Sequence, residues 1–244
     1  EEKIQGPEVS VFALCDGESY VLLPTAQDHK RLNENDKGPN TGGMGAYSPA
    51  PLITKDYLDK IIKDIIEPTI YELNQRNIDY KGVIYFGLMI TKSGPKVIEY
   101  NCRFGDPECQ TIMPLLDQNF VLLLEKCAMG KLSGHERINI SNKVSGCVIA
   151  TSKGYPNRYQ TGFPITIGNI DSNDCQIFDS GTTLSKNGEL LTDGGRVLSI
   201  VCQDKNFDIV FKKAYKNLKE INFEGIYFRN DIGHQVRGNF SKEN

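Results

Sequence analysis

The stretch that decides the fold is Val97-Ile98-Glu99-Tyr100-Asn101-Cys102-Arg103-Phe104-Gly105-Asp106-Pro107-Glu108. Its first half reads as the returning strand of a hairpin. Residues 83–91 form an apolar run of strand length, and Lys92-Ser93-Gly94-Pro95 supplies the turn. In an extended strand, residues two apart share a face, so Glu99, Asn101 and Arg103 are expected to project together at the hairpin's end. A carboxylate and a carboxamide oxygen are hard ligands of the kind Mg²⁺ takes, its other positions going to water or phosphate. An arginine beside them offers paired hydrogen bonds to a polyanion. The same three residues read equally as a solvated hairpin end with a charge pair. Residues 102–107 are expected to be a loop, with Pro107 at the first turn of a helix.

Before this hairpin, Val9, Val11 and Ala13 alternate like a half-buried strand, Cys15-Asp16-Gly17-Glu18 turns, and residues 20–23 return. No hydrophobic period survives between Gln27 and Pro51, which therefore reads as one long loop. Inside it lies Gly38-Pro39-Asn40-Thr41-Gly42-Gly43-Met44-Gly45-Ala46-Tyr47. Glycines let a backbone approach a ligand closely and turn successive N–H groups inward as an anion nest. The run is no P-loop, because no Lys-Ser/Thr pair closes it; taken alone it reads equally as mobile surface. Gln27-Asp28-His29-Lys30-Arg31 concentrates charge just ahead of it, and a lysine there can reach a terminal phosphate or simply be solvated.

From Thr54, a reasonable N-cap, apolar residues recur at helical spacing to about residue 74, and Pro68 predicts a kink or split near Glu67. A second helix is expected over residues 120–129, ended by Gly130. Polarity and glycine rise over residues 131–142, the expected domain boundary. Beyond it the sequence reads as short strands at 144–151, 165–167, 176–178, 196–202 and 227–229, with one amphipathic helix at 207–221.

Composition narrows the partners. With 39% apolar and 24% charged residues the chain reads as globular, and 28 basic against 31 acidic residues leave a formal charge of −3. No chain-wide basic field exists to hold nucleic acid, and no apolar run approaches the ~20 residues of a membrane span. The seven cysteines are odd in number and form no CxxC pair, so unpaired thiols in a reducing compartment are expected. His135 and His234 lack a ligand set and are expected at the surface, and no Ser-His-Asp or Cys-His constellation stands out.

Five stretches in order carry a resemblance: Gln27-Asp28-His29-Lys30-Arg31; residues 38–51, GPNTGGMGAYSPAP; residues 97–108, VIEYNCRFGDPE; Gly194-Gly195-Arg196-Val197; and Phe228-Arg229-Asn230-Asp231-Ile232-Gly233. Together they resemble the phosphoribosylamine–glycine ligase (glycinamide ribonucleotide synthetase) family, ATP-grasp enzymes of purine biosynthesis. The resemblance spans nearly the whole chain. It implies an α/β (α+β) fold: the C-terminal portion of an ATP-grasp domain over residues 1–130, then a small mostly β domain with one helix over residues 143–240. The implied reaction joins glycine to 5-phosphoribosylamine at the expense of ATP, through an acyl phosphate, in the cytoplasm.

Residue by residue, the resemblance makes Glu99 and Asn101 the ligands of Mg²⁺ or Mn²⁺. Arg103 becomes a catalytic and substrate-holding residue, and Lys30 a contact to the γ-phosphate. Pro39, Asn40, Thr41, Gly42, Gly43, Met44 and Gly45 would line the glycine and phosphoribosylamine site. Glu1, Glu2 and Ile4 match the hinge that binds adenine, Glu8 the ribose carboxylate, and Ile98 would pack on the base. One departure is visible: Val83-Ile84-Tyr85-Phe86 offers no carboxylate where many ATP-grasp enzymes carry a further metal ligand. The opening Glu1-Glu2-Lys3-Ile4 starts without Met and in mid-pattern. The resemblance places the family's N-terminal domain and small lobe before Glu1, so the chain is expected to lack them, to be inactive or nearly so alone, and to need that missing part as its partner. The alternatives are another ATP-grasp ligase or carboxylase subunit, and a non-catalytic module that kept the fold.

Overall fold

The computed structural model describes residues 2–116, 120–133 and 138–238. In chain order the elements are β1 (Glu8–Cys15), β2 (Tyr20–Leu22), β3 (Gln27–Asp28), β4 (Arg31–Asn33), β5 (Lys37–Asn40), β6 (Gly45–Ser48), α1 (Lys55–Ile61), α2 (Glu67–Gln75), β7 (Gly82–Thr91) and β8 (Gly94–Asn101). There follow α3 (Glu108–Ile112), α4 (Phe120–Ala128), β9 (Val144–Ser152), β10 (Thr166–Ile167), β11 (Cys175–Asp179), β12 (Thr182–Leu184), β13 (Leu190–Thr192), β14 (Arg196–Asp204), α5 (Phe207–Leu218), β15 (Ile221–Asn222) and β16 (Ile226–Tyr227). They form two compact units. One takes residues 1–27, 48–105 and 115–141; the other takes 28–47, 106–114 and 142–244.

The first unit is built on an antiparallel sheet of order β2-β1-β7-β8. Val9, Val11, Ala13, Ile84, Phe86 and Leu88 alternate onto one face and bury it against Ile61, Ile66 and Ile70. The helix there begins as expected, Thr54 accepting from the Tyr57 N–H. It is interrupted by a π-helical turn, Ile62–Ile66, and resumes as α2 with Pro68 in its first turn. On the sheet's other face Phe12 packs edge-on against Tyr85 (5.2 Å) and beside Phe104 (6.2 Å), and Phe104 meets Phe120 of α4 (6.0 Å).

The second unit holds a larger sheet of order β11-β14-β9-β6-β3, with α5 packed against β9 and β14. Asn206 caps α5, and Val210, Phe211, Ala214 and Leu218 are its buried stripe. Two sequence expectations change here. Residues 27–51 are not a structureless loop: they hold four short strands, and Met44, Ala46 and Tyr47 are core residues. Glycine- and proline-rich strands show no alternation, so the pattern hid them. Within the three-residue connection from β4 to β5, Asn35 and Asp36 take the left-handed region, at φ 57° and 52°.

The second change concerns the cysteines. Cys175 and Cys202 stand opposite each other on β11 and β14 and are joined as a disulfide, so the expectation of seven unpaired thiols is corrected. Cross-strand register brought together two residues 27 apart, a proximity no spacing rule predicts. The other five cysteines are free. His234 is only a quarter exposed and sits among acids, whereas His135 lies outside the described residues.

Candidate functional site

In the first unit, β8 pairs with β7 so that Glu99 stands opposite Gly87 and Asn101 opposite Tyr85. A register shift at Ile98 precedes the pair, and from Glu99 on the alternation is regular. Glu99 and Asn101 therefore share a face, the one bearing Ser10 and Tyr85, whose hydroxyls are 3.0 Å apart. Gly87 matters for its missing side chain: a Cβ there would lie 2.8 Å from the Glu99 Cγ, so any larger residue would displace the Glu99 stem from its present path. Glu99 stays exposed and Asn101 partly so.

Alternation does not extend to Arg103. The strand ends at Asn101, and Arg103 sits in an exposed bend with its Nη1 donating to the Phe104 carbonyl at 2.8 Å. Glu8 shares the face of Ser10 on β1, with Oε2 sealed from solvent. Ile98 is exposed at 42%. Glu2 gives both carboxylate oxygens to the Lys96 ammonium (2.7 and 2.6 Å), Ile4 is partly buried, and Glu1 lies outside the described residues. Two hollows of this unit, about 500 and 510 Å³, are lined by none of these residues.

In the second unit the glycine run is pinned from several sides. Thr41 donates from its N–H and Oγ1 to the Lys30 carbonyl, and the Gly43 N–H donates back to Thr41 Oγ1. The Gly42 N–H donates to the Tyr155 hydroxyl at 2.8 Å, while Arg196 Nη1 donates to the Gly42 carbonyl. Met44 is held in the sheet by hydrogen bonds to His29 and Ile149, and Gly43 and Gly45 are buried; Pro39 and Asn40 are exposed. Gly43 has φ +109°, and a Cβ on it would strike Pro107 Cδ at 2.4 Å and Asp28 Oδ1 at 2.8 Å. Only glycine fits there.

Two acids missed as site residues from sequence converge behind Gly43. Glu108, at the start of α3, is 3% exposed. Asp28, at the end of β3, has its Oδ1 sealed from solvent and without a hydrogen-bond partner. Burial pushes the Asp28 carboxyl well above its usual range and the Glu108 charge pushes it further, while Lys30 and Arg196 pull it back. Such opposed charges around a buried acid are common where protons or charged substrates are handled. Asp28 belonged to the charged run already noticed in the sequence, but nothing local revealed its neighbour 80 positions on.

Among the described residues no group of three or more His, Cys, Asp or Glu forms a metal cluster. The donor set around Glu99 and Asn101 still suits Mg²⁺: two oxygen donors on one face, with room made by Gly87. No helix among the described residues is long and apolar enough to cross a membrane.

Residues 1–109 match the family model for the phosphoribosylglycinamide synthetase ATP-grasp (A) domain, and residues 145–235 match that for the C domain of the same family. The chain belongs to the phosphoribosylglycinamide synthetase family. It is 45% identical over 232 residues to the phosphoribosylamine–glycine ligase of Caldanaerobacter subterraneus subsp. tengcongensis, covering 95% of this chain and 55% of that protein. It is 44% identical to the ligase of Synechocystis sp., covering 97% and 57%. The crystal structure of phosphoribosylamine–glycine ligase from Thermotoga maritima superposes with a TM-score of 0.85 at 32% identity, over 95% of this chain and 56% of that one. A biotin carboxylase complex from Campylobacter jejuni shares the fold alone, at TM-score 0.64 and 16% identity. The chain spans about half the length of the curated ligases it matches.

These matches correct the reading of the chain as a C-terminal remnant followed by a small β domain. The A-domain match begins at residue 1, and the C domain follows, so both domains are represented. The expected loss of the N-terminal domain, the inactivity ascribed to it and the missing segment as partner followed from the family resemblance, and the same two matches overturn them.

Proposed function

We propose that the chain works as an ATP-dependent ligase, joining glycine to 5-phosphoribosylamine to give glycinamide ribonucleotide, ADP and phosphate. Residues 1–130 act as the ATP-grasp domain and 143–240 as the C-terminal domain of this reading, in a cytoplasmic setting. The observation that supports it most is the pairing of Glu99 and Asn101 opposite Gly87 and Tyr85, which leaves two oxygen donors on one open face. Glu99 and Asn101 would hold Mg²⁺ or Mn²⁺. The ion supplies charge neutralisation and a template for the phosphates.

The remaining work is positioning and electrostatics. Glu8 offers a carboxylate to a ribose diol, and Ile98 an exposed apolar surface to a base, with Glu2 and Ile4 alongside. Arg103, freed of its carbonyl contact, holds anionic substrate, and Lys30 meets the γ-phosphate as a point charge. The glycine carboxylate attacks that phosphoryl group, and the amine of phosphoribosylamine then displaces phosphate from the acyl phosphate. Pro39, Asn40, Thr41, Gly42, Gly43, Met44 and Gly45 line the acceptor site, where exposed backbone groups and the neighbouring acids contact a small zwitterion.

The test is product analysis. Purified chain is given ATP and Mg²⁺ with glycine and phosphoribosylamine, or with bicarbonate, and ADP and products are read. Ligase function predicts glycinamide ribonucleotide in the first case only; ADP formation only with bicarbonate would establish the carboxylase alternative.

A further inference from the structure

The hairpin β4–β5 leads directly into the glycine run, yet it has almost no apolar footing: of its seven strand residues only Leu32 is even partly buried. Exposed, polar and glycine-containing strands specify their register weakly, because a slip of one residue costs no burial. Something else must fix it. The segment Tyr227–Asp231 does so by polar contacts to nearly every residue of the first strand and the turn. Tyr227 Oη donates to the Leu32 carbonyl (3.1 Å), and Asn230 donates from N and Nδ2 to Glu34 Oε1 (3.3 and 2.9 Å). The Asn35 N–H donates to Asp231 Oδ2 (2.7 Å).

Arg229 sits at the centre, with no exposed surface. Its Nε and Nη2 grip the two oxygens of Asp231 (2.7 Å each), while Nη1 reaches the Arg31 carbonyl (3.0 Å) and Asp36 Oδ1 (2.9 Å). The segment is itself anchored to α5, since Tyr215 Oη donates to the Arg229 carbonyl and accepts from the Ile232 N–H. A guanidinium so fully engaged has no fork left for a substrate anion.

We propose that Arg229 is a positioning residue: by holding the Arg31 carbonyl and the Asp36 turn it sets the register of β4–β5, and hence the placement of the Gly38–Gly45 run. The linkage is short. Arg31 pairs with Asn40, and Thr41, the next residue, is bound to the Lys30 carbonyl. A purely stabilising contact could be apolar, as buried ion pairs replaced by hydrocarbon often cost nothing. A two-acid, one-carbonyl grip instead selects one alignment.

The consequence for catalysis rests on the ligase reading given above, and the experiment separates the two. Asp36→Asn keeps a residue at ease in the left-handed turn and removes one of the acids; Arg229→Lys keeps the charge and removes the fork. Amide hydrogen exchange of the full chain is followed at Thr41, Gly42, Gly43 and Met44, with β9 and β14 as folding controls. Protection at 41–44 is expected to fall about 10-fold or more while the controls hold; unchanged protection at 41–44 in folded variants would overturn the proposal. Steady-state kinetics are read alongside. A KM for glycine raised about 10-fold, with the KM for ATP within about twofold, supports both readings. Loosened amides with an unmoved KM for glycine support the role of Arg229 and refute the assignment of this run to the acceptor site.

Discussion

Arg196 and Asp106, 90 residues apart, are joined at two points: Nη2 to the carboxylate Oδ2 at 2.6 Å, and Nη1 to the main-chain carbonyl at 2.9 Å. The same Nη1 holds the Gly42 carbonyl, so one guanidinium ties the end of the Arg-Phe-Gly-Asp-Pro-Glu stretch to the glycine run. The Arg196 side chain is 20% exposed and that of Asp106 51%, so the grip rests on the fork geometry more than on shielding from water.

A lysine cannot reproduce that grip, because a point charge lacks the planar fork. Arg196→Lys is expected to leave the circular dichroism spectrum unchanged and to lower kcat/KM for glycine about 10- to 100-fold, or about 1.4–2.8 kcal/mol of transition-state stabilisation. Equal kcat/KM in the folded variant would remove Arg196 from the site.

Glu99 and Asn101 should behave as one unit. If the proposed metal-binding role holds, the double change Glu99→Gln, Asn101→Ala is expected to reduce ATP turnover about 10³-fold or more and to abolish Mg²⁺-dependent nucleotide binding in calorimetry. A non-catalytic module would bind and behave as before.

Asp28→Asn should stabilise the fold and impair the reaction. The carboxyl has its folded-state pKa raised, so the stability linked to it is fully present below the unfolded carboxylate range and is lost as pH rises through the folded value. At pH 7–8 the neutral amide avoids that loss. With the Asp28 Oδ1 sealed from solvent and accepting no hydrogen bond, the change is expected to be worth about 1–2 kcal/mol, or roughly 2–8 °C in Tm. A lower Tm, or undiminished turnover, would contradict the functional reading of this acid.

His29 is 1% exposed, and burial lowers its pKa to about 4, helped by the nearby Arg229 charge. Its Nε2 lies between the Gly233 N–H (3.1 Å) and Gln235 Oε1 (2.9 Å), so it is burial that disfavours the charged ring. The unfolded histidine takes up a proton near 6.5 and the folded one does not. Stability from this group is therefore complete above pH 6.5 and is lost as pH falls toward 4, by about 3 kcal/mol at full effect. Denaturant melts at pH 7 and 4.5 should show that loss in the native protein and much less of it in His29→Gln. Parallel losses would assign the acid sensitivity elsewhere.

The legible parts were those whose signal is local. The β1–β2 and β7–β8 hairpins, the Thr54 cap, the break before Pro68 and the α5 stripe each follow from periodicity or from one residue's backbone chemistry. The strands of residues 27–48 were hidden because glycine, proline and buried polar residues erase alternation. Arg103 was grouped with Glu99 and Asn101 by a period-two rule that ends where the strand ends.

The sequence alone determined which residues could do chemistry and how each is presented along its own strand, because side-chain alternation and turn preference are set within a few residues. Only the tertiary structure decided which of them meet. Asp28 beside Glu108, Arg196 across Gly42 and Asp106, Arg229 on the 31–36 turn, and Cys175 against Cys202 are all contacts between segments remote in the chain. Their closeness comes from sheet register and core packing, which many distant residues set jointly and no short stretch encodes.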